Sequence, residues 1–191
     1  KKKDETYNWL RKKNRLYEDQ LNHLRKYKVT FQNQLSICFP GYLDLFKDGY
    51  SDIPMTILKK YPHPDLLKNK KAETVARYLE KNTCHTHKVS LEYALKIIEF
   101  AKKTYPGCEK DDVEVEIFKI LLDKVIETQR ECEKTLNEMI TVASTLEEYR
   151  YISSIDGIGP NLAARIIAEI GDIEEFKSRE ALVAYAGLDP H

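Results

Sequence analysis

The sequence contains few cysteines and no long apolar run. Its four cysteines, at positions 38, 84, 108 and 132, stand far apart, unlike the dense pattern of a small secreted disulfide-bonded domain. No stretch reaches the roughly 18 consecutive apolar residues that a membrane-spanning helix requires. The basic start at Lys1 has no apolar region behind it and no initiator methionine, so it does not resemble a signal peptide. We therefore expect a cytoplasmic protein with no membrane partner, and a sequence that begins inside a longer chain.

Net charge is also absent. Lysine and arginine total 31, and aspartate and glutamate total 31, which leaves a formal net charge of +0 at pH 7. Overall charge therefore predicts no attraction to nucleic acid, membrane or anionic substrate, and any such partner must be bound by a local patch. The chain is nevertheless 42% hydrophobic and 191 residues long, which is enough to bury a core and too apolar for a disordered tail.

Two heptad patterns predict two long helices, over residues 5–38 and over residues 111–146. The seam positions are Leu10, Asn14, Tyr17, Leu21, Leu24, Lys28, Phe31, Leu35 and Cys38 in the first helix, and Phe118, Leu122, Val125, Gln129, Cys132, Leu136, Met139, Ala143 and Leu146 in the second. Polar residues at seam positions, such as Asn14 and Lys28, cost stability but select register and partner number. Pairing between helices is therefore favoured. The alternative is that each amphipathic helix packs on the core of its own domain.

Helix-breaking proline and glycine residues divide the region between the long helices into short helices. Pro40-Gly41, Pro62-His63-Pro64 and Pro106-Gly107 are the breakers. Helix N-caps are expected at Asn69, Ser90 and Asp111. No segment keeps the alternation of apolar and polar residues that a half-buried strand requires. We predict an all-α fold: long antiparallel coiled-coil helices with an inserted bundle of short helices, followed by a helix-hairpin-helix segment. A second copy of the chain is expected to cover the remaining apolar stripes.

The helix-hairpin-helix prediction comes from the residues between Ile152 and Ile167. Gly157 and Gly159 permit backbone angles that a side chain would forbid, Ile158 points inward between them, and Pro160 suits the first turn of a helix. Such a turn directs backbone N–H groups outward at the positive end of a helix dipole, where they bind phosphate without distinguishing bases. The predicted nucleic-acid-binding residues are Gly157, Ile158, Gly159, Asn161 and Leu162 through their backbone, and Arg165 through its charge. The alternative is a tight turn between two core helices.

The same region resembles a known family. Ile155-Asp156-Gly157-Ile158-Gly159-Pro160, followed by Phe176-Lys177-Ser178 and by Ala184-Tyr185-Ala186-Gly187-Leu188-Asp189-Pro190, resembles the C-terminal transposase domain of the insertion-sequence one-ten family. The two long helices and the turns at residues 39–41 and 61–64 look like the coiled-coil region of those enzymes. The resemblance implies a coiled-coil dimerisation region over residues 1–148 and the N-terminal part of the transposase domain over residues 149–191.

The resemblance also implies what the longer protein does. Members of this family recombine DNA under the direction of a structured guide RNA. They use a RuvC-like acidic domain, a divalent metal such as Mg²⁺ and a serine nucleophile. The implied partners are transposon-end and target DNA, a structured guide RNA and a second copy of the chain, with a tetramer as a further assembly. The implied location is the nucleoid in a prokaryotic cytoplasm. The family's acidic residues would precede Lys1 and its serine would follow His191. We therefore expect this part of a transposase to have no catalytic residue, to hold no cofactor and to be inactive alone.

Other candidate sites have simpler explanations. The run Cys84-His85-Thr86-His87 contains zinc-binding residue types but too few ligands for a tetrahedral site, so we predict no metal. Ser153, Ser154 and Ser178 lie at predicted helix ends, where hydroxyl groups bind backbone atoms.

Two further groups of residues each have a functional and a structural interpretation. Trp9 and Tyr27 lie off the seam, and either stack on unpaired bases or pack against a neighbouring domain. The basic cluster of Lys68, Lys70, Lys71 and Arg77 either contacts phosphate or forms a solvated helix face. For the whole chain, the leading alternative function is a helical adaptor that dimerises and binds no nucleic acid.

Overall fold

Helices form the regular secondary structure of residues 2–185 and 187, which are the residues that this computed structural model describes. The α-helices are Lys2–Cys38 (α1), Asp52–Lys60 (α2), Pro64–Leu67 (α3), Ala72–Asn82 (α4), His87–Lys103 (α5), Val113–Ala143 (α6), Glu147–Ser153 (α7), Pro160–Ile170 (α8) and Arg179–Tyr185 (α9). Two 3₁₀ turns cover Tyr42–Leu45 and Ile173–Glu175. The predicted all-α class is confirmed. Ala186 and Leu188-Asp189-Pro190, which belong to the family resemblance, lie outside the described residues.

The chain divides into two compact units. The terminal unit consists of Lys1–Asn22 and Arg130–His191, and the central unit consists of His23–Gln129. Both α1 and α6 contribute residues to each unit. No helix in the described part of the chain combines the length and apolar character of a membrane span. The predicted boundary between residues 148 and 149 concerns the transposase domain and stays a prediction.

Within the central unit, α1 and α6 pack side by side. The rings of Phe31 and Phe118 lie 5.3 Å apart, and one turn further along α1 the amide of Gln34 donates to the carbonyl of Glu114 at 3.0 Å. Because the contact moves forward along α1 as it moves back along α6, the two helices run antiparallel here. This direction agrees with the predicted pair.

Most of the predicted seam residues are buried by the chain itself. The buried members are Leu10, Asn14, Leu24, Phe31, Leu35 and Cys38 on α1, and Phe118, Leu122, Val125, Cys132, Met139 and Ala143 on α6. A second copy would therefore have to contact another face.

On such a face of α6, Val113, Ile117 and Ile120 follow one another at steps of four and three and are 61%, 40% and 62% exposed. We call these three residues the α6 stripe.

The three N-caps predicted at Asn69, Ser90 and Asp111 are wrong, since α6 also begins at Val113, after Asp112 rather than after Asp111. Helix α4 begins after Lys71 rather than after Asn69, and α5 begins after Thr86 rather than after Ser90. Ser90 is buried one turn inside α5, and its N–H donates to the carbonyl of Thr86 at 3.0 Å. A residue's tendency to cap does not decide between neighbouring candidates, because tertiary packing sets where the helix can start.

The second long helix is shorter than predicted at both ends, since it covers Val113–Ala143 rather than residues 111–146. Before its start, the carboxylate of Asp112 accepts a hydrogen bond from the N–H of Glu109 at 2.8 Å and closes the preceding turn. After its end, Leu146 becomes the residue that precedes α7. Leu146 still packs on the core of the terminal unit, which explains why the heptad pattern continues past the last helical residue.

Candidate nucleic-acid interface

The predicted hairpin consists of α7, a turn over residues 154–159, and α8, and the two helices pack against each other. Two hydrogen bonds shape the turn: the N–H of Ile155 donates to the carbonyl of Ile152 at 3.2 Å, and the N–H of Ile158 donates to the carbonyl of Ile155 at 3.0 Å. Pro160 is the first residue of α8, as predicted. Its ring supplies a helical φ at a position where an N–H has no intrahelical acceptor.

The two glycines of the turn have different backbone conformations. Gly157 has a φ of +87°, a left-handed angle that disfavours residues with a side chain. Gly159 has φ −78° and ψ 172°, an extended conformation that any residue adopts. A Cβ atom added at either position would meet no atom within 4 Å. The predicted need for a special backbone angle is therefore confirmed at Gly157 and wrong at Gly159.

The start of α8 exposes backbone donors. Pro160 has no N–H, and the N–H of Ala163 donates to the carbonyl of Gly159 at 3.0 Å. Within the described part of the chain, the N–H groups of Gly157, Gly159, Asn161 and Leu162 have no acceptor, and no side chain caps the helix. These four residues are exposed, whereas Ile158 is half-buried and its N–H is already bonded. The donors of Gly159, Asn161 and Leu162 lie at the positive end of the α8 dipole, and with Gly157 in the preceding turn they suit an anion.

Arg165, the predicted charge contact, is paired within the terminal unit. Its Nη2 atom lies 3.0 Å from a carboxylate oxygen of Glu18, its Nε donates to the side-chain oxygen of Asn14 at 3.4 Å, and its guanidinium lies 5.5 Å from the centre of the Tyr17 ring. Burial raises the pKa of Tyr17, and the Arg165 cation opposes that shift. A phosphate at the turn would therefore compete with Glu18 for this charge.

Asn14 belongs to the same hydrogen-bonded group as Arg165 and is its buried member. Its side chain is fully buried, and its Nδ2 donates to a carboxylate oxygen of Glu169 on α8 at 2.5 Å. A buried amide without hydrogen bonds is costly, so the polar residue in the α1 seam selects α8 as its neighbour. The sequence marked Asn14 as a residue that specifies a partner, but periodicity alone did not identify which helix the partner would be.

Small residues bring α8 close to the long helices. Ala164 and Ala168 are fully buried and share a core with Tyr7, Leu10, Met139, Ala143 and Ile167. At the end of α8, Gly171 has a φ of +76°, and a Cβ atom there would lie 2.9 Å from Nη2 of Arg11. The alanines let α8 pack closely on this core, and the buried face of α8 points away from the exposed residues at its start.

Trp9, one of the two residues considered for base stacking, lies in an open groove of about 670 Å³. The groove is lined by Trp9, Arg130, Glu133, Lys134, Asn137, Glu138, Thr141 and Val142. Trp9 is half-buried, and the ammonium of Lys13 lies 5.3 Å from the centre of its ring. We call this feature the Trp9 groove. Tyr27 is also half-buried.

The remaining candidate residues are bonded locally. His85 lies 3.1 Å from Asp52, and His87 lies 3.0 Å from Glu80. No three histidine, cysteine or acidic side chains among the described residues are placed to hold a metal ion.

In the basic cluster, Lys68 pairs with Asp65 and Arg77 pairs with Glu73, whereas Lys70 and Lys71 are exposed. The hydroxyls of Ser153 and Ser154 donate to backbone carbonyls one turn earlier, and that of Ser178 accepts from the N–H of Ala181.

A family model described as "Transposase IS116/IS110/IS902 family" matches residues 149–191, which include α8, α9 and most of α7. The match supports the assignment of this segment to that transposase family. The resemblance to the insertion-sequence one-ten family is thereby confirmed, and the exposed turn lies inside the transposase segment. No curated protein and no solved structure gives a significant match to the chain.

Proposed function

We propose that the transposase segment holds DNA through its phosphate backbone at the turn between α7 and α8, as part of the machinery of DNA transposition. The observation that supports this proposal is the set of four exposed N–H groups, of Gly157, Gly159, Asn161 and Leu162, that have no acceptor among the described residues. Contacts of this kind position a duplex and do not read its sequence.

The chemistry of the turn favours a phosphate over a neutral ligand. Unpaired N–H groups at a helix start combine with the helix dipole to attract negative charge. No acidic side chain lies in the first turn of α8, whereas Asp156, beside Gly157, is exposed and would repel an anion on that side. Arg165 would add its charge only after leaving Glu18, which makes the backbone donors the first contact in this proposal.

Gly159 allows a test that removes one donor and little else. Replacing Gly159→Pro deletes the N–H while keeping a φ near the observed −78°, and the matched control Gly159→Ala keeps the N–H. We expect Gly159→Pro to weaken binding severalfold to DNA duplexes of unrelated sequence, and Gly159→Ala to bind like the native chain. Fluorescence anisotropy at two salt concentrations measures both affinity and its salt dependence. Circular dichroism verifies that both variants remain folded.

Unchanged binding by a folded Gly159→Pro variant would contradict the role of this donor. No measurable binding by the native chain at low salt would favour the alternative function, a helical adaptor that pairs with other copies and binds no nucleic acid. Binding that differs strongly between duplex sequences would contradict a contact made through the backbone alone.

Dimerisation is the second part of the proposal, and the α6 stripe is the surface that supports it. Three apolar residues at steps of four and three form the kind of helix face that a second helix covers. The stripe lies apart from the buried seam, so pairing through it does not require the central unit to open. Two such dimers would form the tetramer that the family resemblance implies.

The guide RNA contact belongs, in this proposal, to the Trp9 groove. An aromatic ring in a groove with Arg130 and Lys134 suits an unpaired base with its phosphate, whereas Lys13 is paired with Glu138 at 2.6 Å. Glu133 and Glu138 also line the groove, so stacking rather than net charge is the expected source of affinity. Trp9 is the single tryptophan of the chain, and titration with a structured RNA should therefore quench its fluorescence. Quenching by duplex DNA to the same extent, or no quenching, would contradict this assignment.

The described part of this chain contains no group of donor residues suited to the divalent metal that the resemblance implies. No chemical step is therefore assigned to the residues of this chain.

A further inference from the structure

Two cysteines of the central unit lie next to each other. Cys38 is the last residue of α1, and Cys108 lies in the segment between α5 and α6. The thiol of Cys108 points at the sulfur of Cys38, and the two sulfur atoms are 3.8 Å apart. Of the other two cysteines, Cys84 is exposed and Cys132 is buried. The residues 38 and 108 are thus the pair that the fold brings together from 70 positions apart.

Hydrogen bonds hold the backbone on both sides of this pair. The N–H of Gly107 donates to the carbonyl of Ile37 at 2.8 Å, which joins the residues that precede the two cysteines. A ring nitrogen of His63 lies 3.0 Å from the carbonyl of Cys108. A disulfide needs its sulfur atoms about 2.05 Å apart. Bonding therefore requires an approach of about 1.8 Å, which rotation of the two side chains can supply while these contacts remain.

We propose that Cys38 and Cys108 form a reversible dithiol–disulfide site, which a small-molecule disulfide such as oxidised glutathione closes. Cys108 is half-buried whereas Cys38 is fully buried. Because glutathione disulfide can reach Cys108 but not Cys38, Cys108 is the first thiol to react and Cys38 is the second. The resulting bond joins the end of α1 to the segment before α6.

The exchange balances in two steps. Cys108 loses its proton and attacks one sulfur of the glutathione disulfide; an S–S bond forms to Cys108, and one glutathione leaves as a thiolate that takes up a proton. Cys38 then loses its proton and attacks the Cys108 sulfur, which releases the second glutathione in the same way. The two cysteines lose two electrons, and glutathione disulfide gains them as two thiols.

The surroundings of the pair determine the pH dependence. Burial raises the pKa of Cys38 to about 12, and burial also raises the pKa of Cys108. Because the thiolate is the attacking species, both cysteines are mostly protonated at neutral pH and the exchange is slow there. The rate should increase as the pH rises, since the thiolate fraction of each cysteine grows.

The test is oxidation of the folded chain by oxidised glutathione, followed by mass spectrometry of the whole protein and of its peptides. In the Cys84→Ser variant, which lacks the exposed thiol that glutathione would also modify, we expect a loss of the mass of two hydrogen atoms, a peptide that links Cys38 to Cys108, and a faster reaction at higher pH. The linked protein should unfold at a higher urea concentration than the reduced protein, because the bond shortens the unfolded chain across 70 positions. Reductant should reverse both changes.

Single variants identify the order of reaction. Cys38→Ser should stop at one glutathione bound to Cys108, and Cys108→Ser should leave Cys38 unmodified, whereas Cys84→Ser should form the link like the native chain. A link that involves Cys84 or Cys132, or a native chain that stops with glutathione on Cys108, would overturn the proposal. The peptide map of the native chain decides this outcome even if a Cys38 variant fails to fold.

Discussion

At the scale of single residues, Gly157 and Gly159 serve the turn differently although they stand two positions apart. A left-handed φ costs a residue with a side chain about 1 to 2 kcal/mol, and of these two glycines Gly157 alone has such an angle. Gly157→Ala should therefore lower the free energy of unfolding by about 1 kcal/mol, whereas Gly159→Ala should leave it nearly unchanged. Urea denaturation followed by circular dichroism compares the two. Equal effects of the two substitutions would contradict the backbone angles described above.

Asn14 provides a second test at this scale, because periodicity did not identify the partner that the structure shows. The buried amide bonds Glu169 and Arg165 of the same chain, so Asn14→Ala should cost about 1 to 3 kcal/mol of stability. The loss should not depend on protein concentration. Asn8→Ala, an exposed position of α1, is the matched control and should have little effect. A loss that disappears at high protein concentration would instead indicate that Asn14 contributes to contacts between copies.

At the scale of elements, α8 has a face that packs and a start that is exposed. Ala164 is fully buried, and Leu162 is 45% exposed. Ala164→Leu should overfill the core and cost about 1 to 3 kcal/mol, while Leu162→Ala should change stability little. Thermal unfolding measures both variants. If Leu162→Ala were the more destabilising of the two, the orientation of α8 described here would be wrong.

At the scale of the whole molecule, the α6 stripe is the proposed contact between copies. Replacing Ile117→Glu together with Ile120→Glu places two charges in that contact, so the variant should be monomeric at concentrations where the native chain is a dimer. Lys119→Glu, an exposed charge reversal on the same helix, is the control and should remain a dimer. Analytical ultracentrifugation measures the masses and also distinguishes a dimer from a tetramer. A native chain that remains monomeric at high concentration, or a dimeric double variant, would refute the assignment.

The second prediction at this scale concerns activity. The purified chain with Mg²⁺ should leave plasmid and oligonucleotide DNA uncut, because Ser153, Ser154 and Ser178 are hydrogen-bonded to backbone atoms and the described residues place no group of donors to hold a metal ion. Gel electrophoresis after long incubation is the measurement. Cleavage that copurifies with the chain and is lost in a variant of one of its own residues would show that the chain has a catalytic site.

Local sequence patterns were enough to predict the all-α class, the two long helices and the transposase segment, because heptad periodicity, Pro160, Gly157 and the family motif are properties of neighbouring residues. They did not predict the helix starts near Asn69 and Ser90, since adjacent polar residues cap almost equally well and packing chooses between them. The folded structure was needed to show that Asn14 bonds α8, that Arg165 pairs with Glu18 and that Cys38 lies next to Cys108. Each of these contacts joins residues at least 70 positions apart, and such pairings depend on how helices dock rather than on any local pattern.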